Sequence, residues 1–328
     1  MSTQYWAGKT VVVTGATGFI GTHFVTELLS RGAHVVCPVR GDAPRLPAAT
    51  PDETRLRTVP ADLLDENALR GTFETTPGGV DAVIHCAAVW GNAGFRYDHP
   101  ARVFEENLRI TTHILHCARR YGVPDTVLMG SGEVYRTEVD RPFRETDFDG
   151  SFTYTPDGYY LAKVYEETLA ETYRLEYGMR IFQPRPSSVY GPGDDFGPHT
   201  NKVIPIMFRK AMADEGITLW GDGLQTRTYI FVTDLVRGVL ETVEKNDHHI
   251  VNMGTPEVVT MRRLASMVYA ALGRPEDIRL DRNKPAGRRS RTLDLSRLHE
   301  TISFAPRDLD QGLRQTAAWL RRTPPPAG

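Results

Sequence analysis

Short unbroken apolar runs alternate along this chain with longer stretches whose apolar residues recur every three or four positions. The runs include Val11-Val12-Val13, 34–39, 81–88, 126–129 and 180–186. A strand buried on both faces reads this way, because neither face meets water. Between the runs, 19–29, 65–73, 98–121 and 162–177 carry the helical period. Residues 55–59 read as a further strand, third in chain order. Strands alternating with helices build parallel βαβ units, since parallel neighbours need a long crossover and a helix supplies it. The expected fold is α/β, a doubly wound parallel sheet. After Ser187 the pattern changes: Pro and Gly become frequent and short elements replace the long ones, apart from helices at 233–245 and 309–320. The expected division is a domain at 1–186 and a smaller, discontinuous C-terminal lobe at 187–328, with some segments returning to the first domain.

The first strand runs into Gly15-Ala16-Thr17-Gly18-Phe19-Ile20-Gly21 and then into the first helix. Glycines in such a turn allow a tight bend, close backbone approach to a pyrophosphate and close packing of helix on sheet. The phosphates then meet free N–H groups at the helix N-terminus. The spacing is GxxGxxG, and strand plus helix around it predict a Rossmann-type dinucleotide site. NAD-binding folds commonly carry an acid at the end of the second strand, for the ribose 2′-hydroxyl. Here Val39 and Arg40 stand there. A guanidinium suits a 2′-phosphate and a carboxylate repels one, so the expected cofactor is NAD(P), with NADP(H) favoured. A solvated surface arginine would look the same in sequence.

Tyr159 and Lys163 stand four apart at the start of a helical stretch, on one helix face. A neighbouring ammonium favours phenolate, so Lys163 is expected to lower the tyrosine toward the working range of an acid/base. Tyr160 has no lysine four residues on.

Together, KTVVVTGATGFIG at 9–21 and YYLAK at 159–163 resemble the extended short-chain dehydrogenase/reductases, in particular the NAD-dependent epimerase/dehydratase group of nucleotide-sugar enzymes. The resemblance covers roughly 9–320. It implies cofactor contacts from Gly15, Thr17, Gly18, Phe19, Ile20, Gly21, Asp62, Leu63, Ala87, Ala88, Asn107, Tyr159 and Lys163. For Asn107, a solvated or capping asparagine is the alternative. The resemblance makes Ser131 the hydroxyl that donates to the sugar C4 oxygen while Tyr159 exchanges the proton. It puts Trp90, Gly91 and Asn92 beside the hexose, with Ser188, Lys202 and Val203 also on the substrate. It gives Arg227 and Lys284 to the diphosphate, although the cluster around Lys284 could equally be a solvated loop.

The run FGPHTNKVIPIM at 196–207 resembles GDP-mannose 3,5-epimerases and GDP-fucose synthases. Lys202 matches the acid of the former. Both groups pair that acid with a cysteine where this chain has Glu133, which aligns with the base glutamate of 4,6-dehydratases. A glutamate capping the next turn is the other reading of Glu133. Gly132 replaces the acid partner of the dTDP-glucose dehydratases, which weakens a dehydratase reading. The expected function is a C3/C5 nucleotide-sugar epimerase on a GDP-hexose, acting through transient C4 oxidation. The alternative is an NADPH-dependent 4-ketoreductase, because a self-regenerating epimerase has no need of NADPH. UDP-glucuronate decarboxylase, 4,6-dehydratase and non-catalytic binding protein rank below these.

The 328 residues carry a net charge of −2, which gives no polyanion signal and makes nucleic acid an unexpected partner. Cys37, Cys86 and Cys117 form no CxxC pair, arguing against a zinc site or a disulfide framework. No run has signal-peptide or membrane-span length at sufficient hydropathy, so a cytoplasmic protein without membrane attachment is expected. The resemblance further implies a homodimer, paired through helices near 98–121 and 159–177.

Overall fold

In a computed structural model the chain is described at residues 5–41, 46, 53–90, 93–135, 139–150, 154–285 and 288–323. Two of the expected sugar contacts, Gly91 and Asn92, lie outside these residues. The chain forms two compact units. One comprises Met1–Arg136, Phe148–Arg185 and Val236–Val251; the other comprises Thr137–Asp147, Pro186–Leu235 and Asn252–Gly328.

The first unit is built on strands β1 (Thr10–Thr14), β2 (His34–Val39), β3 (Leu56–Pro60), β4 (Ala82–His85), β5 (Asp125–Leu128) and β6 (Arg180–Pro186). The strand Ile250–Met253 extends the sheet beyond β6. The order from that edge is Ile250–Met253, β6, β5, β4, β1, β2, β3. Pairs β1–β2, β2–β3, β1–β4, β4–β5 and β5–β6 are all parallel. The order reverses between β1 and β4, the switch point where doubly wound sheets open a crevice at their carboxyl ends. Val11, Val12 and Val13 have no exposed surface, as the unbroken apolar run requires.

Helices α1 (Phe19–Ser30), α2 (Glu66–Glu74), α3 (Ala93–Asp98), α4 (Pro100–Arg120) and α5 (Gly158–Tyr177) belong to the same unit. The stretch 98–121, expected as one helix, is divided. Pro100 is the first residue of α4, where its missing N–H costs nothing. Ala93–Asp98, ahead of it, forms the separate helix α3. Helix α5 starts four residues earlier than the periodicity predicts and so includes Tyr159. Asp157 caps it, its side chain accepting from Tyr160 N at 3.1 Å. Gly178 ends it with φ +65°, a conformation that glycine takes without strain.

The second unit contains short paired strands. Ser188–Tyr190 runs parallel to Tyr229–Phe231, and Ile217–Trp220 parallel to Ile278–Asp281. Thr226–Arg227 lies between Val259–Thr260 and Ser290–Arg291. Its core gathers Phe208, Leu264, Val268, Leu313 and Ala317, none with exposed surface. Among the described residues no helix is long and apolar enough to cross a membrane.

Helices α4 and α5 meet closely where Gly158 passes the Pro100 backbone. A Cβ on Gly158 would collide with the Pro100 carbonyl oxygen and carbon, backbone atoms that cannot swing aside. Gly158→Ala should therefore destabilise the protein by about 1–3 kcal/mol, the usual penalty of overpacking. Denaturant unfolding checks this. A variant as stable as the native chain would mean that the helix junction relaxes freely.

Candidate active site

The turn after β1 closes against the end of β4. Gly15 has φ +65°, and a Cβ there would come within 2.6 Å of Ala87 N. A Cβ on Gly21 would collide with the Gly15 carbonyl, and one on Gly18 would meet that oxygen at 3.1 Å. The turn is thus held tight by backbone contacts that only glycines permit. Helix α1 follows with Gly18 as its N-cap, no side-chain cap and no acid in its first turn. Such an N-terminus favours an anion, so these residues fit a dinucleotide pyrophosphate. Thr14 Oγ1 lies 2.6 Å from His85 Nδ1 and 3.4 Å from Ala87 N, tying β1 to the Ala87-Ala88 segment. Burial, then Lys163, pushes His85 down to about 3, so it serves as a neutral hydrogen-bonding link.

Asn107 on α4 is buried and fully used by the backbone. Its Oδ1 accepts from Val89 N at 2.8 Å, and its Nδ2 donates to Val89 O and Val103 O at 2.8 and 2.7 Å. It clamps the segment that leads to Trp90. Asp62, just past β3, accepts from Leu64 N at 3.0 Å, and the Leu63 carbonyl lies 2.9 Å from His113 Nδ1. Arg40 follows β2 directly and is exposed.

The residues expected to act as acid/base gather around α5. Lys163 is buried, and its Nζ donates to Met129 O at 2.9 Å and to Glu166 Oε2 at 2.6 Å. The ammonium lies 5.6 Å from the centre of the Tyr159 ring. Ser131 precedes a single turn, Gly132–Val134, and its Oγ accepts from Glu133 N at 3.1 Å. That leaves its hydroxyl hydrogen available to donate. Tyr159 keeps a partly exposed edge, while protein encloses the rest.

The expected lowering of Tyr159 does not occur. Its phenol is pushed up to about 12, first by burial; Lys163 opposes this, and Glu133 and Glu166 add to it. The first physical reason is burial, which disfavours the phenolate; the pairing of Lys163 adds to it. Burial alone would lower that ammonium, but Glu166 and its neighbours raise it, so a charge already engaged by a carboxylate has less hold on the phenol.

Three residues that the sequence pattern did not single out complete the arrangement: Arg96, Asp157 and Glu166. Arg96, on α3, gives Nε and Nη2 to the two Asp157 oxygens at 2.6 and 2.5 Å, and Nη2 also to Glu133 Oε2 at 2.7 Å. Its guanidinium carbon is 4.9 Å from the ring centres of both Trp90 and Tyr159. Those rings meet edge to face with centres 4.3 Å apart. Burial disfavours the Arg96 charge, but Asp157 and Glu133 more than offset it and raise the group. Asp157 had a legible signal, an aspartate placed to cap the helix carrying Tyr159. Arg96 had none: no motif, spacing or resemblance marks it.

In the second unit Lys202 N-caps the helix Val203–Met212, and its Nζ donates to the buried Asp194 at 2.6 Å. Val203 and Ser188 are exposed. Arg227 gives Nη1 to Thr226 O at 2.7 Å and Arg288 O at 2.9 Å. It is lowered, first by burial and further by Arg288, with Tyr229 opposing. Among the described residues no carboxylate pairs with it. The Lys284 ammonium lies 5.8 Å from the ring centre of Trp220.

The sequence pattern of the NAD dependent epimerase/dehydratase family matches residues 11–254, three quarters of the chain. This chain belongs to that family. Over 322 residues it is 45% identical to a dTDP-4-dehydro-6-deoxy-D-allose reductase of Streptomyces bikiniensis, spanning 98% of this chain and 99% of that one. It is 29% identical to GDP-mannose 3,5-epimerase 1 of Oryza sativa subsp. japonica, over 97% of this chain and 84% of the relative. Among solved structures, UDP-glucose 4-epimerase of Thermotoga maritima superposes with a TM-score of 0.84 at 26% identity, covering 96% and 99% of the two chains. DesIV of Streptomyces venezuelae, a dTDP-glucose 4,6-dehydratase with NAD and TYD bound, gives 0.79 at 26%, covering 95% and 97%. The family member described here is an NAD(P)-dependent nucleotide-sugar enzyme of the epimerase/reductase kind. Restriction to a GDP-linked sugar, expected from 196–207, finds no support in these relatives as a group.

Tyr159→Phe should keep the fold and cofactor binding while turnover falls by about 10²–10⁴-fold, the usual contribution of a general acid/base. Steady-state rates on an accepted nucleotide sugar check this; near-native turnover would remove Tyr159 from the chemistry.

Proposed function

We infer that this enzyme is an NADPH-dependent 4-ketoreductase of a nucleotide-linked 4-keto-6-deoxyhexose, with dTDP as the carrier. The observation that carries this reading is the Arg96–Glu133 contact of 2.7 Å. An epimerase needs a carboxylate free to take a proton from carbon beside the ketone. Here one Glu133 oxygen is bound by a guanidinium that also holds Asp157, so that oxygen is already engaged in an ion pair. Lys202, the expected acid, is likewise held by Asp194. The reductases of 45% identity support the same reading and the dTDP carrier. It replaces the sequence-based preference for epimerisation of a GDP-hexose.

When bound, the reduced nicotinamide supplies the hydride that C4 receives. The chain's own residues supply the rest. Ser131 donates a hydrogen bond to the C4 oxygen, and Tyr159 gives that oxygen its proton, which solvent replaces. A phenol held well above neutrality is protonated at working pH, the form that donation requires. Lys163 orients the phenol and the cofactor ribose. Arg227, half-buried and without a carboxylate among the described residues, is suited to the diphosphate oxygens, and Lys284 would share that charge. Trp90 and the turn after β4 would border the hexose. The exposed Tyr165 and Leu175 of α5 fit the homodimer that the family resemblance implies, and a cytoplasmic setting suits the unpaired Cys37, Cys86 and Cys117.

The reading is tested in D2O with a dTDP-4-keto-6-deoxyhexose. One NADPH should be consumed per product, with no solvent deuterium bound to carbon at C3 or C5. Glu133→Gln should lose far less than the about 10²–10⁴-fold expected on removing a general base. Deuterium at C3 or C5 that disappears in Glu133→Gln would reinstate the epimerase, which the shared residues of the 3,5-epimerases favour.

Arg40→Ala should weaken NADPH binding by on the order of 1 kcal/mol or a few while leaving NADH nearly unchanged, since only NADPH carries the phosphate that Arg40 would meet. Fluorescence titration of the two reduced cofactors measures this. Equal effects would assign Arg40 to the solvated surface.

A further inference from the structure

Glu166 is a buried carboxylate that the steps above do not use. It lies on α5 three residues after Lys163, is 4% exposed, and accepts from Lys163 Nζ at 2.6 Å. The adjacent Glu167 cannot take its place, because Arg185 on β6 holds it, with Nη2 2.6 Å from Oε2 and Nε 3.1 Å from both oxygens. Two neighbouring acids on one helix thus have separate duties. One neutralises a guanidinium from the sheet, and the other neutralises the active-site lysine.

We propose that Glu166 is a positioning residue for the proton transfer: it holds Lys163 Nζ beside the Met129 carbonyl and offsets its charge, so that Tyr159 stands as a proton donor. The use made of this rests on the reductase reading; the electrostatics do not. The charged groups around the phenol come from several elements. Lys163 and Glu166 share its helix, Asp157 caps that helix, Glu133 comes from the turn after β5, and Arg96 comes from α3. Among the described residues, two cations therefore face three carboxylates. A phenolate would add a fourth negative charge to a site with too few cations, so the neutral phenol is preferred. The raised Tyr159 agrees: burial acts first, and Glu133 and Glu166 add to it. In the reduction the C4–O π bond breaks, a C–H bond forms with the hydride from NADPH, and an O–H bond forms with the Tyr159 proton. NADP+ leaves, and solvent reprotonates Tyr159.

Glu166→Gln removes the charge and nearly preserves the shape, and the Met129 carbonyl still anchors Lys163. Phenolate absorbance should be titrated in the full chain, with the matching Tyr159→Phe protein subtracted. In Glu166→Gln, Tyr159 should ionise lower than in the native chain by on the order of one pH unit or more. With NADPH and a 4-keto sugar, the alkaline limb of kcat should move down in parallel. Glu166→Asp keeps the charge and should return the titration close to native. Should Glu166→Gln fail to fold, Glu166→Met removes the same charge with an apolar side chain. A phenol that ionises at the native pH in the charge-removing variant overturns the proposal. So does a Glu166→Asp shift as large as that of Glu166→Gln, which would make the contact one of packing. Because the titration needs no substrate, a failure to consume NADPH would remove the reductase reading alone.

Discussion

Helix α5 carries Lys163, Glu166 and Glu167 on its buried side, and the site depends on how those three charges are satisfied. Each ion left unpaired in a protein interior costs several kcal/mol. Glu167 meets Arg185, which is 1% exposed and also donates to Tyr135 Oη at 2.8 Å. That contact joins α5, β6 and the segment just beyond the Ser131–Glu133 turn. Glu166 meets Lys163, and Lys163 reaches the carbonyl at the end of β5. These buried pairs register the helix against the sheet, and Ser131, Tyr159 and Lys163 take their places as a result.

The same constraint governs the reactivity of each group. A carboxylate that looks like a base in sequence is an anion committed to a guanidinium once Arg96 is beside it. A lysine that looks like a proton donor in the second unit is the counter-ion of Asp194, whose own acidity is weakened by burial and restored in part by Lys202. A tyrosine that looks primed as phenolate is a neutral phenol because burial outweighs the neighbouring ammonium, which is itself paired. In all three cases the residue type suggested one role, and its surroundings in the fold point to another.

The strand, the glycine turn and the helix of the candidate cofactor site were legible in the sequence. Val11–Val13 could only be a strand covered on both faces, and the glycines after it could only be a close turn. Gly15 and Gly21 indeed sit where any Cβ would strike backbone. The spacing of Tyr159 and Lys163 placed both on one helical face. For Asn107 the sequence did not show its partners: its amide hydrogen-bonds the backbone of Val89 and Val103. The single helix expected at 98–121 failed at Pro100, and with it went the chance of seeing α3 and Arg96.

By itself the sequence determined the features that obey local rules: hydrophobic period, glycine geometry and the i, i+4 face of a helix. These specify a doubly wound α/β protein with a dinucleotide turn and a tyrosine–lysine pair, because each depends on neighbours in the chain. Tertiary structure decided the charge state and the task of each polar group. Arg96 meets Glu133 from 37 residues away and Asp157 from 61, and Arg185 meets Glu167 from 18. Such pairings exist only after the chain has folded. Coulomb interaction depends on distance in space and on the exclusion of water, and neither is written in the order of the residues.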